Sequence, residues 1–422
     1  MSLSATSMHF MEKLVPTNTL ETPAQLFVAI ALSLAAASCG TNAPPVICAL
    51  PASPSSSGTC TCGSGTAACP VQPGPEFLYA TTIGGQILAF SIDPNNNGAL
   101  TPIGSVSGPS ISLGLTSVSN QFLYASDTHN AQIDGFSINQ TTGALTALAG
   151  SPFSTGTLSL PGVLASPPGD LASSPGSSLL YAADSGTIDM FTINAGGVPT
   201  ALSGSPYVPE AGFAIVVDPS GRYFYASDDD PPGGVFAFTT DSAGALAPIP
   251  DSPFTIPGQT VADSLPIGIV DTGSYVYAAL SQTNQIAAFS IASVAGALTG
   301  ALAPVPNSPF PAGTAPTAVV VAGNFLYAIN SSNGSISSDG TISGYSINSS
   351  NGMLTPLSGS PFAIVGFSLA TDYLGQHLYV SGLTGIQAFS IDFTSGALTP
   401  VSGSPFPAFG ATLLTVVQIP PP

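Results

Sequence analysis

Positive charge is what this chain lacks. Its 422 residues include two cations, Lys13 and Arg222, against 21 Asp and Glu, for a formal net charge of -19. A surface this poor in Lys and Arg cannot neutralise a polyanion, which excludes nucleic acid as a partner. Phosphorylated ligands are disfavoured for the same reason, because backbone amides replace a guanidinium or ammonium only in part. Charged residues of either sign make up 5% of the chain and Trp is absent, yet 44% is hydrophobic. That composition buries a large core and excludes disorder driven by charge repulsion.

Long apolar runs are also missing. The one from Leu26 to Ala37 is too short to span a bilayer but suits the core of a signal peptide. Lys13 is the only positive residue before it, and Met11 would serve as a start giving a leader of ordinary length. The competing interpretation is a buried apolar helix of the mature fold, against which stands the abrupt change to Pro and Ser beyond it. Ala36-Ala37-Ser38-Cys39 resembles a bacterial lipobox. The resemblance implies removal of residues 1–38 as a signal peptide, lipidation of Cys39, and export to the cell envelope with membrane contact through the lipid alone.

All five Cys lie between Cys39 and Cys69. With Cys39 lipidated, Cys48, Cys60, Cys62 and Cys69 remain for two disulfides in an oxidising compartment, with three pairings open. A metal site on Cys60, Cys62 and Cys69 is the alternative, but no His is near and the spacing fits no common zinc pattern. Residues 39–75 are therefore expected to form a tether rich in Pro, Ser and Gly, and residues 76–422 the folded domain.

Within that domain a tetrapeptide recurs: "FLYA" at Phe77, Phe122 and Phe325, "LLYA" at Leu179, "YFYA" at Tyr223, "YVYA" at Tyr275 and "HLYV" at His377. The interval between copies runs from 44 residues (Tyr181 to Tyr225) to 57 (Tyr124 to Tyr181), a period typical of propellers and solenoids. Each copy is followed by a second run such as "ILAFSI" at Ile87, then by a Gly-Ala-Leu stretch, which beyond the first copy leads to Ser-Pro-Phe, or Ser-Pro-Tyr at Tyr207, as in "GALTPVSGSPF" from Gly396. An apolar run precedes the tetrapeptide, as in "GFAIVVDPSGRYFYA" from Gly212. Short β-branched and aromatic runs bounded by Gly, Asn, Asp and Ser are strands, four to a repeat. The spacing predicts an all-β, seven-bladed β-propeller of four-stranded antiparallel blades. The first copy lacks its own inner strand, so the C-terminal "ATLLTVVQI" from Ala411 is expected to join blade one and close the ring. Gly-Ala-Leu is assigned to the turn between third and fourth strands, and Ser-Pro-Phe to the end of the fourth, where Pro stops pairing.

This order of motifs resembles the bacterial seven-bladed lactonase-type propellers, which include 6-phosphogluconolactonase-like proteins and YVTN-repeat surface proteins. It covers residues 76–422, and it implies the propeller fold and opening of a lactone ring.

Propeller ligands sit over the central channel, on the face carrying the loops from second to third strands and those entering each inner strand. The candidates for that face are Asp184, Glu210, Asp263, Asn330 and Asn333. The triplet Asp228, Asp229 and Asp230 is either a calcium site or a solvated acidic loop. Asp127 and His129 form the one His and carboxylate pair close in sequence within the domain, the minimum for activating water in lactone hydrolysis. No nucleophile elbow, P-loop, dinucleotide fingerprint or HExxH string occurs. The favoured function is a noncatalytic binding module for a protein, glycan or small ligand. The alternative is a lactonase-like hydrolase, with calcium as its possible aid.

Overall fold

Every tetrapeptide starts a second strand, where its aromatic and β-branched residues fill a pleated, buried surface. The computed structural model describes residues 59–62, 65–68, 74–155, 168–184, 186–207, 214–228, 234–259, 266–330 and 340–420. Seven antiparallel sheets follow one pattern of four strands from the axis outward, consecutive in the chain in every blade but the first. In blade four they are Ile215–Val217, Tyr223–Asp228, Gly234–Thr240 and Leu246–Pro248. Inner strands of consecutive blades touch all round, from Leu115–Val118 of blade two to Leu369–Thr371 of blade seven, Ala411–Gln418 of blade one and back. The protein is therefore an all-β, seven-bladed propeller. Ala411–Gln418 pairs with Glu76–Thr82, Thr415 standing opposite Tyr79, so blade one joins both ends of the ring and leaves no open inner edge.

The core is divided between the blades. Each of seven apolar clusters fills one junction, such as Leu123, Phe136, Ile87 and Leu413 between blades one and two. The two repeated motifs meet at these junctions. The seven Tyr of the tetrapeptides are wholly buried, and each donates its hydroxyl to the carbonyl of a Gly in the following blade. Tyr79 reaches Gly143 at 2.8 Å, Tyr124 reaches Gly197 at 2.7 Å, and the series continues to Tyr379, which closes the ring on Gly98 at 2.9 Å. These Gly hold positive φ, six of them in the turn between third and outer strands and Gly300 within the outer strand Ala297–Pro304. At Gly197 (φ 78°) a Cβ would stand 2.7 Å from the Phe122 ring, so both conformation and clearance demand glycine.

The outer strand departs from the sequence-based expectation. Ser-Pro-Phe does not end it; the strand breaks and then resumes. In blade two Leu145–Ala147 pairs with the third strand, the chain loops out, and Phe153–Ser154 pairs with that strand again, Phe153 opposite Ile133. The Ser-Pro bond is cis in all six copies. The loop leaves one third-strand amide without a ladder partner, and the Ser hydroxyl takes its place. Gly135 N–H donates to Ser151 Oγ at 2.9 Å, and the same bond recurs at Ser205, Ser252, Ser308, Ser360 and Ser404. The motif satisfies a buried donor, which pairing rules alone do not reveal.

Within the expected tether, Thr59–Cys62 and Gly65–Ala68 form a short antiparallel hairpin. Its alternating Thr residues supply the β-branched side chains that favour strand.

Candidate functional site

Turns from inner to second strands and from third to outer strands lie on one face of the ring. Connections from second to third strands, and those entering each inner strand, lie on the other, the channel face. Asp127 ends the second strand of blade two on the channel face. Its Oδ1 accepts from the backbone amides of His129 and Asn130, both at 3.1 Å, and its Oδ2 from Asn130 Nδ2 at 2.7 Å. The carboxylate organises its own turn, and the bond from His129 comes from the main chain. The His129 side chain is exposed.

Asn330 occupies the equivalent place in blade six, 2% exposed. Its amide donates to Thr341 Oγ1 and Ser343 Oγ, both at 3.0 Å, while its Oδ1 has no partner among the described residues. Asp184 and Asp228 end the second strands of blades three and four, opposite Thr187 and Gly234. Glu210, Asp263, Asn333, Asp229 and Asp230 lie outside the described residues, as do Cys39, Cys48 and Cys69. Cys60 and Cys62 fall on the strand Thr59–Cys62.

Three carboxylates escaped the sequence-based search. Asp134 and Asp189 take the same position in the third strands of blades two and three. Burial, and secondarily the charge of Asp127, pushes Asp134 up to about 6. Burial pushes Asp189 up to about 6 against a bond from Ser205 Oγ. Their signal was present as an Asp inside the apolar runs "IDGFSI" and "IDMFTI". Asp170, 1% exposed on the inner strand of blade three, accepts from Leu171 N–H at 2.7 Å and from Ile215 N–H of blade four at 2.9 Å. The hydroxyls nearby are also bonded within the fold: Ser126 Oγ accepts the amides of Leu113 and Gly114, and Ser227 Oγ that of Ala214.

Among the described residues, no three His, Cys, Asp or Glu come together as a metal site. Arg222 stands on the opposite face, in the turn between the inner and second strands of blade four, with its guanidinium 5.3 Å from the Tyr223 ring centroid. Among the described residues, the chemistry within reach on the channel face is hydrogen bonding, plus proton exchange near pH 6 at Asp134 and Asp189.

Solved structures share this architecture. One titled a "putative 6-phosphogluconolactonase" from Bacteroides fragilis is 18% identical, with 82% of this chain and 99% of that one covered at a TM-score of 0.64. Another with the same title, from Bacteroides uniformis, is 18% identical, covering 82% and 100% at 0.61. The periplasmic gluconolactonase of Pseudomonas aeruginosa is 16% identical, with 82% and 100% covered at 0.60. No protein-family model and no curated protein matches the chain. At these identities the likeness is one of fold: this is a propeller built like those of lactonase type.

Proposed function

We propose that this chain is an exported, lipid-anchored binding propeller whose channel face takes a neutral ligand, without catalysing a reaction. One observation carries the proposal: the described polar groups of that face are largely committed to the fold. Asp127 holds its own turn, and Asp170 joins two inner strands. The sole Arg lies on the opposite face, so a phosphorylated ligand finds no guanidinium there. Lipidation at Cys39 after removal of residues 1–38 would hold the propeller at the bacterial envelope through residues 39–75.

A second function has its own support. Asp134, raised to about 6 beside Asp127, can accept a proton at neutral pH, and the periplasmic gluconolactonase of Pseudomonas aeruginosa shares the fold. In that case the substrate is an unphosphorylated lactone. Hydrolysis of phosphorylated and unphosphorylated lactones by the full-length protein, with and without Ca2+, separates the two. Binding without turnover above the spontaneous rate supports the binding module. Turnover that falls at least about tenfold in Asp134→Asn or His129→Ala identifies a hydrolase.

A further inference from the structure

Six blades place an aromatic ring at one position. Phe153, Tyr207, Phe254, Phe310, Phe362 and Phe406 stand opposite Ile133, Ile188, Val235, Ile286, Ile342 and Ile386 of their own third strands. The ring then covers the third-strand residue two places on. A Cβ on Gly135 would stand 2.8 Å from Phe153 Cε2, and one on Gly344 2.8 Å from Phe362 Cε2. Tyr207 also meets Phe238 of the next blade edge-on, with ring centroids 5.5 Å apart. The site is thus shaped for a ring between two blades.

Blade one departs from this pattern. It has no Ser-Pro-Phe, and its outer strand Ala99–Ser107 continues past a bulge, bringing Val106 opposite Ile87. Val is smaller than Phe, and a crevice of about 80 Å³ remains there. Ile87 and Ala89 form its floor at the positions of Ile133 and Gly135, Ile103 and Val106 one wall, and Ala144 and Leu145 of blade two the other. No charged side chain lines it, and Ser105, whose side chain shares the other face of the sheet with Leu88, borders it through its backbone.

We propose that this crevice between blades one and two is a binding site for a small neutral aryl alcohol, whose ring fills the place that an aromatic side chain fills in the other six blades. The walls are apolar and gain contacts when a ring enters. A dry apolar cavity of about 150 Å³ accommodates a whole benzene. This one is smaller but open on one side, so the ring enters edge first and the alcohol stays hydrated at the mouth. A charged ligand would lose hydration without an opposite charge to meet it. The site is separate from the channel face, and neither proposed function depends on it.

The probe is 4-fluorobenzyl alcohol, titrated into the full-length protein and followed by its fluorine resonance and by the protein methyl resonances. Expected are broadening of the fluorine line and shifts centred on the methyls of Ile87, Ile103, Val106 and Leu145. Val106→Phe supplies the missing ring from within and should weaken binding by about tenfold or more. Absence of broadening, shifts centred on other methyls, or undiminished binding in a folded Val106→Phe protein overturns the proposal. If that variant fails to fold, the location of the methyl shifts in the unmodified protein decides.

Discussion

At the scale of single residues, the junctions depend on one hydroxyl and one missing side chain. Tyr181→Phe removes the donor to Gly244 O at 3.0 Å and strands a buried carbonyl, at a cost of about 1–2 kcal/mol. Tyr275→Phe makes the same change where the hydroxyl reaches Ser349 O in an exposed setting, so its cost should stay within about 0.5 kcal/mol. Urea unfolding midpoints of the two variants measure the difference, and equal losses would contradict the role given to the buried bond. Gly197→Ala adds a methyl against Phe122 and forces a left-handed backbone on a residue with Cβ. About 2 kcal/mol or more should be lost. The seven Tyr and the Gly of the turns were legible in the sequence as repeated letters. That they bond to each other across blades was not, because partners such as Tyr79 and Gly143 stand 64 residues apart.

At the scale of the element, the outer strand shows how a repeated motif can be assigned to the right place with the wrong role. Pro in Ser-Pro-Phe reads as a strand terminator, since it has no amide to donate. The strand nevertheless resumes, because Ser Oγ accepts the third-strand amide that the loop leaves behind. Ser360→Ala should therefore expose the buried Gly344 amide as an unsatisfied donor and lower stability by about 1–3 kcal/mol, with a fall in melting temperature as the readout. Amide exchange adds a local check: Gly344 should exchange faster in the variant, while the equivalent Ala388 amide, held by Ser404, keeps its protection. The channel-face elements were legible to a lesser degree. Asp127 and Asn330 stand at the strand ends where the motif spacing put them. Asp134 and Asp189 went unseen because which face of a third strand is buried depends on the neighbouring blade.

For the whole molecule, blade one and its seam with blade seven are the vulnerable point, since blade one joins strands from the two ends of the domain. His377 packs over Gly98 of blade one. Its Nδ1 lies 2.7 Å from Asp372 Oδ2, and its Nε2 3.3 Å from Asn97 Oδ1. Glu76 sits beside them and accepts from the Tyr373 amide at 3.3 Å. Burial, helped by the charge of Asp372, pushes Glu76 up from 4.5 to about 7. The folded chain thus holds this proton more tightly than the unfolded one, so the contribution of Glu76 to stability is full below about pH 4.5 and is lost as pH rises through about 7. Melting temperatures from pH 4.5 to 8 should fall less steeply in Glu76→Gln than in the unmodified protein, and parallel curves would refute this. Deleting Ala411–Ile419 strips blade one of its inner strand. A protein that loses cooperative unfolding and self-associates on size exclusion is the expected result.

The sequence by itself determined the architecture. Seven copies of a strand-forming pattern, each too short to bury its own apolar faces, have to stack, and a first copy without an inner strand requires the C-terminal one. These are local propensities and counts, which a linear string carries in full. Only the tertiary structure decided which groups meet: the Tyr hydroxyls with the next blade's Gly, the Ser hydroxyls with orphaned amides, Glu76 with Asp372 and His377. The Tyr and Glu76 pairings depend on how one blade faces another, and the Ser pairing on where the outer strand loops away from its own third strand. Chain separation of tens to hundreds of residues hides that geometry until the ring has closed.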